Sequence, residues 1–151
     1  MRSASRGFTV AELVMVTAIV AIMAAIALPT ARFTMQRERE SELRLDLRLM
    51  RGAIDDYKHL ADQGMIQIEI GTEGYPKSLE DMVKGVSIVG QLNKKKFLRR
   101  VPIDPMTGKA EWGLRSYQDE MDATSWGGQN VYDVCSLSKG TALDGTKYKD
   151  W

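Results

Sequence analysis

Glu12 stands where a carboxylate is costly. It is the only charge in residues 8–28, with Thr9 and Thr17 the other polar side chains. A charge at the centre of a membrane helix costs about 2.5–3.5 kcal/mol, and such residues are functional by default. One turn inside the apolar run the cost is lower, yet a plain anchor does not require it. The chemistry open to Glu12 is charge pairing away from water, which needs a cation. A peptidase cut after Gly7 would make one, because Phe8 would then begin the chain with a free amine. Within one chain that amine and Glu12 sit a turn apart on one helical face. In a neighbouring chain shifted along the axis, the amine would meet this carboxylate instead. An unpaired buried carboxylate penalises the lone subunit and a paired one favours a staggered array, so Glu12 would set register.

The elements around it must hold that geometry. A helix over the 21 residues 8–28 spans roughly 32 Å, about one bilayer core. Arg2 and Arg6 precede it, which places the N-terminus in the cytoplasm and the rest of the chain outside. An ordinary secretory signal, cleaved at Ala25-Ile26-Ala27, and a simple signal anchor are the plainer readings. The run exceeds the usual apolar core of a signal, about 7–15 residues, and neither plain reading uses Glu12. Pro29 removes a backbone donor and bends the helix near Ala25, or ends it. The sequence stays helical beyond, so a continuing, kinked helix is expected. From Thr30 to about Gln63, Leu43, Leu47, Met50, Ile54, Tyr57 and Ala61 recur at spacings of four and three, an amphipathic stripe that Gly64 ends. The mixed charges of "QRERESELRLDLR" read as a solvated face or as helix-to-helix pairs.

After Gly64, "MIQIEIG" reads as a short strand or an irregular loop. Pro76, Ser78 and Glu80-Asp81 open a short helix that stops near Gly85. "AEWGLRSY" and "QNVYDVCSL" read as two antiparallel strands. The fold class expected is therefore α+β: a long N-terminal helix, half membrane-spanning and half amphipathic, on a small antiparallel sheet. The expected division is residues 1–7 as a leader, 8–29 as a transmembrane or filament-core helix, 30–63 as an amphipathic helix and 64–151 as a small globular domain.

Gly7-Phe8-Thr9-Val10-Ala11-Glu12-Leu13 resembles the cleavage and methylation motif of type IV pilins and type II secretion pseudopilins. In that family a short basic leader ends in Gly, the next residue is usually an N-methylated Phe, and Glu follows four places later. Pro29 falls where the family often has a helix-bending proline. Tyr75-Pro76, Phe97-Leu98-Arg99-Arg100, Pro102-Ile103-Asp104-Pro105, Tyr132 to Leu137 and the final Asp150-Trp151 are similar to the major pseudopilin, so the resemblance runs nearly end to end. Extra residues around 63–73 and 119–128 depart from it. The resemblance implies cleavage between Gly7 and Phe8, methylation of Phe8, and assembly through Glu12, Phe8 and Pro29. It implies a pilus-like filament of many copies, with a prepilin peptidase, minor pseudopilins, an inner-membrane assembly platform and a separate ATPase as partners. The chain would sit in the bacterial inner membrane with its globular domain in the periplasm.

The resemblance also implies calcium in the last loop, held by aspartates and backbone carbonyls. The matching positions are Leu137, Asp144 and Asp150, but Gly140 replaces the family's first aspartate and Lys139, Lys147 and Lys149 intervene. An ordinary surface loop pinned by Trp151 explains "SLSKGTALDGTKYKDW" as well.

Other chemistry is scarce. His59 is the lone histidine, beside Lys58 and far from any nucleophile motif, and Cys135 falls inside an expected strand, so no enzyme is expected. Lys94, Lys95, Lys96, Arg99 and Arg100 cluster, but a net charge of +1 over 151 residues and one aromatic in the stretch argue against nucleic acid. Two functions remain: a subunit of a secretion pseudopilus or surface pilus, and a monomeric membrane-tethered binding module.

Overall fold

A computed structural model describes residues 9–120, 123 and 125–151, the side chains of 26–30 excepted. The chain divides into two compact units, Met1–Glu38 and Arg39–Trp151. Helix α1 (Val10–Asp62) contributes to both, followed by α2 (Leu79–Lys84), β1 (Gly113–Arg115), β2 (Asp133–Cys135) and a 3-10 turn at Tyr148–Asp150. This is a mixed helix and sheet architecture with a long N-terminal helix. The helical assignment runs through Pro29, whose side chain lies outside the described residues. Among the described residues, no helix is long and apolar enough to cross a membrane.

The second unit is built on the stripe of α1. Leu43, Leu47, Met50 and Ile54 are buried against Leu79 and Met82 of α2, and against Leu98, Trp112, Val131, Val134 and Tyr148. Each such side chain contributes about 1.5–3 kcal/mol on full burial. Ala61 packs with Ile66 and Ile88 in a smaller cluster, and Tyr57 is only partly buried there. Leu45 and Leu49, on the other side of the helix, stay exposed.

Helix α2 forms because its ends are satisfied. The Ser78 hydroxyl accepts from the Asp81 amide at 3.2 Å and donates to the Asp81 carboxylate at 2.8 Å. Gly85 ends the helix at φ 93°, and its amide donates to the Asp81 carbonyl. The neighbouring Val86 and Lys95 exchange both backbone hydrogen bonds at 2.9 Å.

"MIQIEI" is a loop, not a strand. The Val89 amide donates to the Met65 carbonyl at 2.8 Å, which anchors one residue and starts no ladder. Ile66 enters the small core while Ile68 and Ile70 face solvent.

The two expected strands do pair antiparallel, with Gly113 opposite Cys135 and Leu114 opposite Val134. Each is only three residues long, because side chains take over the ladder. The Asn130 carboxamide accepts from the Tyr117 amide at 2.9 Å, and the Ser116 hydroxyl donates to the Asn130 carbonyl at 3.0 Å. One Asp119 oxygen accepts from the amides of Ser116 at 2.7 Å and Gly127 at 3.2 Å, closing the connection between the strands. Arg51 ties α1 to this sheet, reaching the Asp133 carboxylate at 2.6 Å, the Val134 carbonyl at 3.1 Å and the Trp151 carbonyl at 2.8 Å.

Candidate functional site

Gly7 and Phe8 lie outside the described residues, so the site begins at Thr9. The Thr9 carbonyl accepts the first helical bond, from the Leu13 amide at 3.1 Å, which makes Thr9 the N-cap of α1. Its hydroxyl accepts from the Glu12 amide at 3.3 Å. The Glu12 carboxylate reaches back to the Thr9 amide at 3.5 Å, a long contact. These reciprocal bonds are a capping box, which satisfies two amides that a helix start otherwise leaves bare. Glu12 therefore has a partner within its own chain, and its negative charge lies at the favourable end of the helix dipole.

The sequence expectation pairs Glu12 with the Phe8 amine, of its own chain or a neighbour's, and passes over Thr9. The signal was nonetheless there, in the Thr-x-x-Glu spacing at the head of an apolar run.

Beyond the cap, the side chains through Ala25 are apolar apart from Thr17. The Thr17 hydroxyl folds onto the carbonyls of Leu13 at 3.0 Å and Val14 at 2.9 Å, so it presents little unmet polarity. Val10, Leu13, Met15, Ile19 and Met23 are all exposed. Large exposed apolar patches are commonly interaction sites for proteins or membranes.

The terminal loop is held from α1. Glu40, 5% exposed, accepts from the Leu143 amide and the Tyr148 hydroxyl, each at 2.9 Å. One turn later, the Arg44 guanidinium lies 4.2 Å from the centre of the Trp151 ring and 3.5 Å from the Asp144 carboxylate. Tyr148 meets Trp151 edge to face at 5.3 Å. In the sequence both helix residues sit within an alternating charge run, which hides the difference between a buried glutamate and a solvated one.

The three residues matched to a calcium loop are differently engaged. The Asp144 carboxylate accepts from the Thr146 amide at 2.9 Å and the Thr146 hydroxyl at 2.6 Å, and with Arg44 these bonds hold its pKa below the ordinary range. Leu137 and Asp150 line a cleft of about 780 Å³ over the outer face of the sheet, together with Gly113, Arg115, Trp126 and Cys135. Calcium wants six to eight oxygens at about 2.3–2.6 Å. Here donors and a cation already face Asp144, and Lys139 and Lys149 stand beside Leu137 and Asp150 in the cleft wall. Among the described residues, no group of three or more His, Cys, Asp or Glu is placed to hold a metal. This donor set does not fit calcium.

Cys135 is half-buried in β2, and desolvation pushes its thiol pKa up. His59 faces the Gln63 amide nitrogen at 2.9 Å on an exposed stretch of α1. Of the basic cluster, Lys95 lies over the Phe97 ring, 5.3 Å from its centre.

No family model, curated protein or solved structure matches this chain.

Proposed function

We propose that this chain is a structural subunit of a pilus-like filament, cut between Gly7 and Phe8 and assembled helix to helix, as the pseudopilus of a type II secretion system. The observation that carries this reading is the setting of Glu12. It is the one charge at the head of a helix that is otherwise apolar through Ala25, and it follows Gly7 by five residues. The exposed side chains of that segment supply the apolar contact surface, and the carboxylate supplies a register mark. In the lone chain the capping box gives Glu12 a local occupation. In the assembly, a neighbour's Phe8 amine is the stronger partner, because a charged donor roughly doubles the strength of such a bond. On this reading Arg2 and Arg6 orient the N-terminal segment in the inner membrane so that the Arg39–Trp151 unit lies in the periplasm.

The cleft over the outer sheet face favours a second reading, a membrane-tethered binding module. The mass of the mature chain separates the two. Loss of residues 1–7 with one methyl on Phe8 is expected for a filament subunit; retention of the leader, or a cut after Ala27, would exclude it.

A further inference from the structure

We propose that Glu40 and Arg44 form a two-pronged clamp that fixes the terminal loop in place of a bound cation, so that the fold of residues 137–151 is independent of divalent metal. The residues are one helical turn apart and thus on the same face of α1. They do different work. Glu40 is the inner prong: its buried carboxylate takes one backbone donor and one side-chain donor from the loop, at Leu143 and Tyr148. A charged acceptor removed from water binds such donors more strongly than a neutral one. Arg44 is the outer prong, stacked on Trp151 and facing Asp144. Its pairing with Asp144 is half exposed on both sides, so screening leaves the guanidinium-indole contact as its main contribution.

Between the prongs the loop closes on itself. The Ala142 amide bonds the Thr146 carbonyl at 2.8 Å, and the Trp151 indole donates to the Thr146 hydroxyl at 2.6 Å. Gly140 lies under the Tyr148 ring, where a Cβ would stand 3.0 Å from the nearest ring carbon. A side chain at that position would require the ring to give by a few tenths of an ångström. A positive charge does meet Asp144, and it belongs to the chain itself.

The inference concerns only the Arg39–Trp151 unit and does not rest on filament formation. Its test is native-state hydrogen exchange on the full chain in detergent micelles, reading the amides of Ala142, Leu143 and Tyr148 with excess chelator and with added calcium chloride. Equal protection in both is expected. Glu40→Ala should speed exchange at these amides about ten- to hundred-fold, and Arg44→Ala about two- to five-fold, with the amides of Leu47 to Ile54 unchanged and no rescue by calcium. Protection that collapses on chelation, or that calcium restores in Arg44→Ala, would overturn the proposal, as would unaltered exchange in both variants. Should Glu40→Ala not fold, Tyr148→Phe removes one of the loop's donors to Glu40 without emptying space, and the same comparison decides. Failure to polymerise would count against the filament reading and leave this result standing.

Discussion

The Glu40 carboxylate and the Tyr148 hydroxyl meet at 2.9 Å in a buried contact between residues 108 positions apart. That bond joins the middle of α1 to the last turn of the chain. Tyr148→Phe should cost about 0.5–1.5 kcal/mol, since the same Glu40 oxygen keeps the Leu143 amide as a donor. Urea unfolding of the full chain in detergent, followed by tryptophan fluorescence, measures it. An unchanged midpoint would show the contact to be idle.

Thr9 and Glu12 share the capping box at the start of α1, and on the proposed reading Glu12 also marks register. Glu12→Ala should leave insertion and leader removal intact yet cripple filament formation. Thr9→Ala should weaken the helix start by about 1 kcal/mol while keeping the carboxylate, so filaments should persist at reduced yield. Electron microscopy of cells overproducing each variant gives the count. Equal yields from Glu12→Ala and the parent would refute the register argument.

Gly113 and Cys135 oppose each other in the sheet with no room between them. A Cβ at 113 would lie 2.6 Å from the Cys135 sulfur. Gly113→Ala should therefore destabilise the unit by about 1–3 kcal/mol, the range for overpacking. Cys135→Gly should relieve that penalty, so the double variant should be less damaged than the sum of the two single ones. Strict additivity in denaturant unfolding would contradict the geometry.

Asp144 carries a pH signature. Its folded pKa lies below the ordinary carboxylate value, first through the Thr146 hydroxyl, then the Thr146 amide. A depressed acid stabilises the fold above its unfolded pKa, and that contribution is lost as pH falls through the folded one. The loop should thus hold at neutral pH and loosen only in acid, below the usual range for aspartate. Carbon-13 titration of the Asp144 carboxyl should report the low value, and Thr146→Val should raise it.

Much of the scaffold is legible in the sequence, because it depends on local rules. The buried face of α1 follows from the spacing of Leu43, Leu47, Met50 and Ile54. The limits of α2 follow from Ser78 and Gly85, whose chemistry acts within four residues. The pairing of β1 with β2 follows from two apolar runs with turn residues between them. What escapes depends on distant partners. "MIQIEI" carries an apolar alternation, but whether it becomes a strand depends on a neighbour with free backbone groups, and the Val89 amide meets just its first residue. Glu40 and Arg44 look like their charged neighbours until the terminal loop, about a hundred residues away, comes to rest on them. Thr9 was local and readable; it was obscured because Glu12 invited a more distant explanation.

The connection between β1 and β2 is fastened at its feet. Asp119 grips the amides of Ser116 and Gly127, the Trp126 indole donates to the Asn130 carbonyl at 2.8 Å, and any side chain at 127 would collide with Asp119 and Gln129. With both ends so held, a short epitope or dye-labelling tag inserted between them should leave the β1–β2 pairing intact.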